Sequence, residues 1–134
     1  MQKKVNLWQN KTITSVADGY EAFILSQMAN VSCPLIYIAS DGVNLVQTAS
    51  MLRLLHPQWQ VREFPAWDTV PYDRVSPNSS VIAKRIDTLS QITFMQSKTP
   101  VVIVTSIGAI MQKLPPQKIF RNARKNITLK IRQK

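Results

Sequence analysis

Glycine, cysteine and histidine are scarce in this chain, at three, one and one in 134 residues. Each shortage excludes something. A dinucleotide-binding fingerprint needs three closely spaced glycines, whereas Gly19, Gly42 and Gly108 lie far apart. The lone Cys33 excludes a disulfide framework and zinc-finger spacing, and fits a reducing compartment. Placed just before an apolar run, it reads as a small core hydrophobe. His56 stands beside Pro57 at an apparent helix end, where a histidine suits the helix dipole better than catalysis. No apolar run approaches the roughly 20 residues of a membrane span. Lys3 and Lys4 are followed by no apolar signal core. A soluble cytoplasmic protein with no membrane partner is expected.

Acid is absent from residues 113–134, which carry eight Lys or Arg. The other 112 residues hold nine basic and seven acidic side chains, a net of +2, so +8 of the net charge of +10 belongs to the C-terminal segment. Such a segment can attract phosphates. Arg121, Arg124, Lys125, Lys130, Arg132 and Lys134 are the candidate nucleic-acid contacts. No aromatic follows Phe120, so the segment offers charge without base stacking. The plainer reading is a solvated edge of something the chain continues into.

The length suits one domain with a core, and hydrophobic periodicity supplies its elements. Val5, Leu7, Thr12, Ile13 and Thr14 alternate weakly, enough for a short strand. Asp18 is the expected cap of a helix whose inner face carries Phe23, Ile24, Met28 and Val31. Pro34–Ala39 is a continuous apolar run, expected as a strand buried on both faces. A helix over 43–56 follows, with Leu45, Ala49, Leu52 and Leu55 or His56 on one face, then a strand over 60–64. Ser76-Pro77 makes a helix start, and Ile82, Ile86, Leu89 and Ile92 line the inner face up to about Ser97. Val101–Val104 is a third buried strand, followed by a short helix over 107–113 and a further turn at 118–122. Residues 126–132 alternate Ile127, Leu129 and Ile131 with Thr128, Lys130 and Arg132, a half-exposed strand. The alternation of helix and strand predicts the α/β class, a mainly parallel sheet with helices on both faces.

Phosphate chemistry is argued against. In nucleotide-binding α/β proteins the phosphate loop joins the first strand to the first helix. Here that place reads Ser15-Val16-Ala17-Asp18-Gly19-Tyr20-Glu21-Ala22. It has one glycine, no Gly-Lys-Ser/Thr, and two acids that repel phosphate.

The most unusual stretch runs from Phe64 to Pro77 and holds three of the eight prolines, Trp67, Tyr72, Asp68, Asp73 and Arg74. Prolines at 65 and 71 exclude a helix interior and a central strand, so this is a long, stiff loop. Asp68 and Asp73 can be a carboxylate pair or a hard-metal site. The plainer reading makes Asp68 a turn former or backbone cap and pairs Asp73 with Arg74, Arg85 or Lys84. Trp67 and Tyr72 can stack on bases, but packing onto the sheet edge suits the scarcity of nearby cations better.

The pattern Phe64-Pro65-x-Trp67-Asp68-x-Val70-Pro71-Tyr72-Asp73-x-x-Ser76-Pro77 resembles the signature of the bacterial transcription-repair coupling factor, near that protein's N-terminus. Ile82, Arg85, Ile86 and Leu89 continue the resemblance, as do Val101–Val104, Ala109, Gln112 and Leu114-Pro115-Pro116. It covers roughly residues 15–122. Asp68 and Val70 replace a more usual glutamate and leucine. The resemblance implies a three-layer helicase-like domain similar to UvrB, with a degenerate phosphate loop, over residues 1–122. It makes 123–134 the start of the next domain, which contacts UvrA. In the full-length family, ATP and Mg serve a separate DNA translocase that removes stalled RNA polymerase. No residue for ATP, polymerase or UvrA maps onto this chain, and the aromatic DNA hairpin of UvrB is replaced by the compact 65–77 loop. The resemblance therefore implies a non-catalytic scaffold with no cofactor of its own. In the full-length family the partners are RNA polymerase, UvrA and DNA; for this fragment the resemblance implies the remaining domains of its own protein. The competing expectation is a nucleic-acid-binding fragment acting through residues 113–134.

Overall fold

The computed structural model describes residues 12–69, 76–94 and 97–121. The elements run α1 (Glu21–Met28), β1 (Leu35–Ala39), α2 (Gly42–Leu55), β2 (Gln60–Phe64), α3 (Ser79–Thr93), β3 (Val101–Ser106) and α4 (Ile107–Met111). A helical turn over 117–121 follows. Residues 12–14 form no strand. The rest of the expected N-terminal strand, and the whole strand at 126–132, lie outside the described residues.

The three strands form one parallel sheet in the order β1-β3-β2. Leu35 pairs with Val102 and Ala39 with Ser106 on one side of β3, while Gln60 pairs with Val101 and Phe64 with Thr105 on the other. β3 is thus central, and its burial from Val101 to Thr105 explains its unbroken Val-Val-Ile-Val run. Alternate residues serve opposite faces. Val102 and Val104 pack with Val61, Leu45, Ala49 and Leu52 in one cluster, which also takes Ala22 and Leu25 of α1. Val101, Ile103 and Phe64 pack with Ala109 and Leu89 in the other. Helices on both faces give three layers and the α/β class.

Five expectations are corrected. Asp18 does not cap α1; Tyr20 takes the N-cap position without a side-chain bond, after Gly19 at φ 86°. The inner face of α1 is Ala22 and Leu25, while Phe23 and Val31 are exposed. β1 is buried on one face only, with Ile36 59% and Ile38 53% exposed. The reason is coverage: α3 lies on β2 and α4 on β3. Cys33 is exposed and is no core residue. The N-cap of α3 is Asn78 in place of Ser76, with its Oδ1 accepting from Ser80 N at 2.9 Å. Asn78 N–H itself donates to the Asp68 carboxylate at 3.1 Å. The two bonds fix both the helix start and the end of the loop. Replacing Asn78 with alanine is expected to lower stability by about 1 kcal/mol, read in urea unfolding.

α2 follows expectation. Asp41 caps it, with Oδ1 accepting from Asn44 N at 2.8 Å, and Leu45, Thr48, Ala49 and Leu52 are buried. That backbone bond, with a second from Ser40, holds the Asp41 carboxyl below its ordinary value. His56 closes the helix through its backbone N–H to Leu52 O, and its ring stacks on Trp59 at 3.9 Å. Among the described residues no helix is long and apolar enough to cross a membrane.

Candidate functional site

The loop that opens after β2 is tied down by one side chain from α3. Arg85 sits a turn and a half into that helix, on the face turned toward the sheet, and is 2% exposed. Its guanidinium lies over the Phe64 ring at 4.2 Å and over the Trp67 ring at 4.5 Å. Nη1 donates to Pro65 O at 2.6 Å and to Gln112 Oε1 at 3.1 Å. Gln112 Oε1 also accepts from Trp67 N at 2.9 Å. One amide oxygen after α4 therefore joins the loop to α3. Two hydroxyls extend the joint. Thr88 donates to Glu63 O and Thr105 to Phe64 O, both at 2.9 Å. Desolvation draws the Arg85 pKa down from its ordinary value. The two rings and two acceptors offset that cost.

This packing corrects the expected inner face of α3. Arg85 and Thr88 are its buried residues, Leu89 packs beside them, and Ile86 and Ile92 are exposed. A search for aliphatic periodicity passes over Arg85, because nothing local says that two rings and a carbonyl will meet it. Gln112 carries still less signal, since its partners stand 27 and 45 residues away.

The signature residues divide as follows. Pro65 and Trp67 join Arg85 in the packed joint, and Asp68 caps the backbone of Asn78. Ser76 is exposed and Pro77 half-buried ahead of α3. Pro71, Tyr72 and Asp73 lie outside the described residues. Of the partners expected for Asp73, Lys84 bonds Glu63 and Arg85 bonds Pro65 and Gln112. Trp67 is half-buried, so Trp67→Ala is expected to cost about 2 kcal/mol in urea unfolding, below the full core range. Among the nucleic-acid candidates Arg121 is exposed at the end of the last helical turn. Arg124, Lys125, Lys130, Arg132 and Lys134 lie outside the described residues.

Two other features border the sheet. On the β2 edge, Glu63 is buried and receives Arg53 at 2.7 Å from α2 and Lys84 at 2.5 Å from α3. Arg62 pairs with Asp87 at 2.6 Å. Along β1 lies an apolar hollow of about 420 Å³, lined by Ile13, Val16, Ile24, Met28, Ile36 and Ile38 together with Glu21, whose Oε2 is buried without a partner among the described residues. Among the described residues no group of three or more His, Cys, Asp and Glu is placed to hold a metal ion. Arg85 Nη1, Pro65 O, Gln112 Oε1 and Trp67 N–H bond one another, while Arg85 Nε is buried without a partner among the described residues. Chemically, these bonds fix backbone.

No family model matches the chain. Curated relatives do. The chain is 30% identical to the transcription-repair-coupling factor of Rickettsia bellii over 95 residues, which is 71% of this chain and 8% of that protein. It is 30% identical to the factor of Haemophilus influenzae over 115 residues, or 84% of this chain and 10% of that protein. The match to the Escherichia coli factor is 30% over 83 residues, 62% of this chain and 7% of that protein. The chain thus spans about a tenth or less of the length of the relatives it matches. With the fold and the packed signature loop in place, these matches establish that the chain belongs to the transcription-repair-coupling factor family.

Proposed function

We propose that this chain is a non-catalytic scaffold module of a coupling factor that links removal of stalled RNA polymerase to nucleotide excision repair of DNA. On this reading residues 1–122 are the UvrB-like N-terminal domain, and residues 123–134 begin the domain that contacts UvrA. ATP, Mg, the translocase and the polymerase contact belong to other parts of the family protein. The module works in the cytoplasm, held against the remaining domains of its own protein. One observation supports the reading: among the described signature residues, Pro65, Trp67 and Arg85 meet in internal packing, with Arg85 and Gln112 bonded to the loop backbone. The self-capped start of α2, where Asp41 fills the turn after β1, also supports it, because a carboxylate there opposes a phosphate.

The test is direct. Purified chain is expected to turn over no ATP, with or without DNA. It is also expected to bind duplex and single-stranded DNA no more tightly than non-specific proteins do, about 10⁻⁴–10⁻⁶ M at physiological salt. Binding far tighter than this, steeply salt-dependent and lost when residues 118–134 are removed, would replace the scaffold by the basic-segment reading.

A further inference from the structure

Asp-Gly occurs twice in the chain, at Asp18-Gly19 and at Asp41-Gly42. The two pairs meet opposite surroundings. Asp41 Oδ1 accepts from Asn44 N at 2.8 Å, and its Oδ2 accepts from Ser40 Oγ at 3.1 Å. Gly42 is already the first residue of the 14-residue α2. Asp18 is exposed in the turn before α1. Among the described residues neither its carboxyl nor the Gly19 N–H has a hydrogen-bond partner. Gly19 sits at φ 86°, and a Cβ added there would meet nothing within 4 Å. The backbone nitrogen of Gly19 is thus unengaged, unhindered by a side chain, and in a turn with room to move.

We propose that Asp18 is a site of spontaneous isoaspartate formation, and that the fold protects Asp41 from the same reaction. Gly19 N attacks Asp18 Cγ. A Cγ–N bond forms, one Cγ–O bond breaks, and the hydroxyl of the protonated carboxyl leaves as water with the amide proton. The five-membered succinimide then takes up one water. Opening at the side-chain carbonyl restores aspartate. Opening at the main-chain carbonyl leaves the chain running through Cβ and Cγ. Composition is unchanged, and no oxidant or cofactor takes part. The product lengthens the main chain by one methylene, three residues before α1. Ala22 and Leu25 of that helix are held in the core, so the change falls where the segment 12–20 feeds α1 onto the sheet. At Asp41 the same attack requires the carboxylate to leave its two donors and the first turn of α2 to open.

The experiment ages the full chain at neutral pH and physiological temperature, then separates the two Asp-Gly peptides after digestion. The isoaspartyl form has unchanged mass, a different retention, and resistance to Asp-specific proteolysis. Asp18 is expected to convert at least about tenfold faster than Asp41, the scale on which opening a capped first turn retards a local reaction. In denaturant the two rates should converge, and Asp18→Glu should abolish the product at that site. Equal rates in the folded chain, a lead for Asp41, or no product at Asp18 would overturn the proposal. So would an unchanged ratio in denaturant, because local sequence would then set the rates.

Discussion

Arg85→Ala is expected to lower the stability of the folded chain by about 3–5 kcal/mol, the range of a large core truncation that also strands a polar partner. The reasoning starts from burial. A guanidinium at 2% exposure has given up its water, and its retention depends on what replaced it. Two aromatic faces lie within 4.5 Å, and two oxygens accept from Nη1. Alanine leaves a void beside Phe64 and Trp67 and leaves Pro65 O without its donor. Gln112 Oε1 keeps only Trp67 N–H. Lysine restores charge but neither plane nor fork, so Arg85→Lys should recover less than half of the loss. Gln112→Ala should cost less than Arg85→Ala, and the two effects should not add, since the pair shares one bond. Urea titration reads all three, as a lower midpoint with slope unchanged. A loss below about 1 kcal/mol for Arg85→Ala would mean that the loop is not anchored through α3, and would return Trp67 to the exposed binding candidates.

How much of this was legible beforehand depends on the range of the forces involved. α2, β2 and β3 follow from local pattern: Pro57 stops the helix, and the Val-Val-Ile-Val run needs cover on both faces. β1 misled for a reason of coverage. Its Leu-Ile-Tyr-Ile-Ala run looks equally apolar on both faces, yet Ile36 and Ile38 face solvent, because the helices on their side stand over β2 and β3. Sequence states which residues tolerate burial, while topology decides which receive it. α3 misled in the opposite sense. Its aliphatics at Ile86 and Ile92 stay exposed while Arg85 and Thr88 go inward. The bonds that draw them in run to the backbone of β2 and of the loop, and backbone partners leave no mark in residue type. The resemblance to the coupling factors singled out Arg85 without a reason, and the packed joint supplies one. Asp68 accepts from Asn78 N–H, which is one of the plainer uses of a loop aspartate, as turn former or backbone cap.

Glu63→Gln is expected to cost about 2–3 kcal/mol at neutral pH, and the cost should shrink as the solution is acidified. Burial is the largest single influence on this carboxyl and by itself pushes its pKa up. The bonds and charges of Lys84 and Arg53 together outweigh burial, and hold the pKa below the ordinary carboxylate range. Both cations are about half exposed, at 47% and 46%, so glutamine does not strand them in the interior. It loses the charge-assisted bonds while keeping the shape, which places the effect below the 3–5 kcal/mol of a fully buried pair. The sign with pH follows from the depressed value. The unfolded chain takes up the proton first, so the stabilisation from Glu63 is complete above the ordinary carboxylate pKa and fades as pH falls through the folded one. The gap between wild type and Glu63→Gln in urea midpoint should therefore be widest near neutrality and close in acid. A gap independent of pH would assign the loss to altered packing at the β2 edge. The same triad has a second consequence. Arg53, Glu63 and Lys84 straddle β2 from α2 and α3, and charged side chains on an edge strand oppose pairing with another chain. β1 carries no charge from Leu35 to Ala39. Glu63→Gln should thus unseat the sheet at β2 without changing the β1 edge, and amide hydrogen exchange should accelerate at residues 60–64 before it does at 35–39.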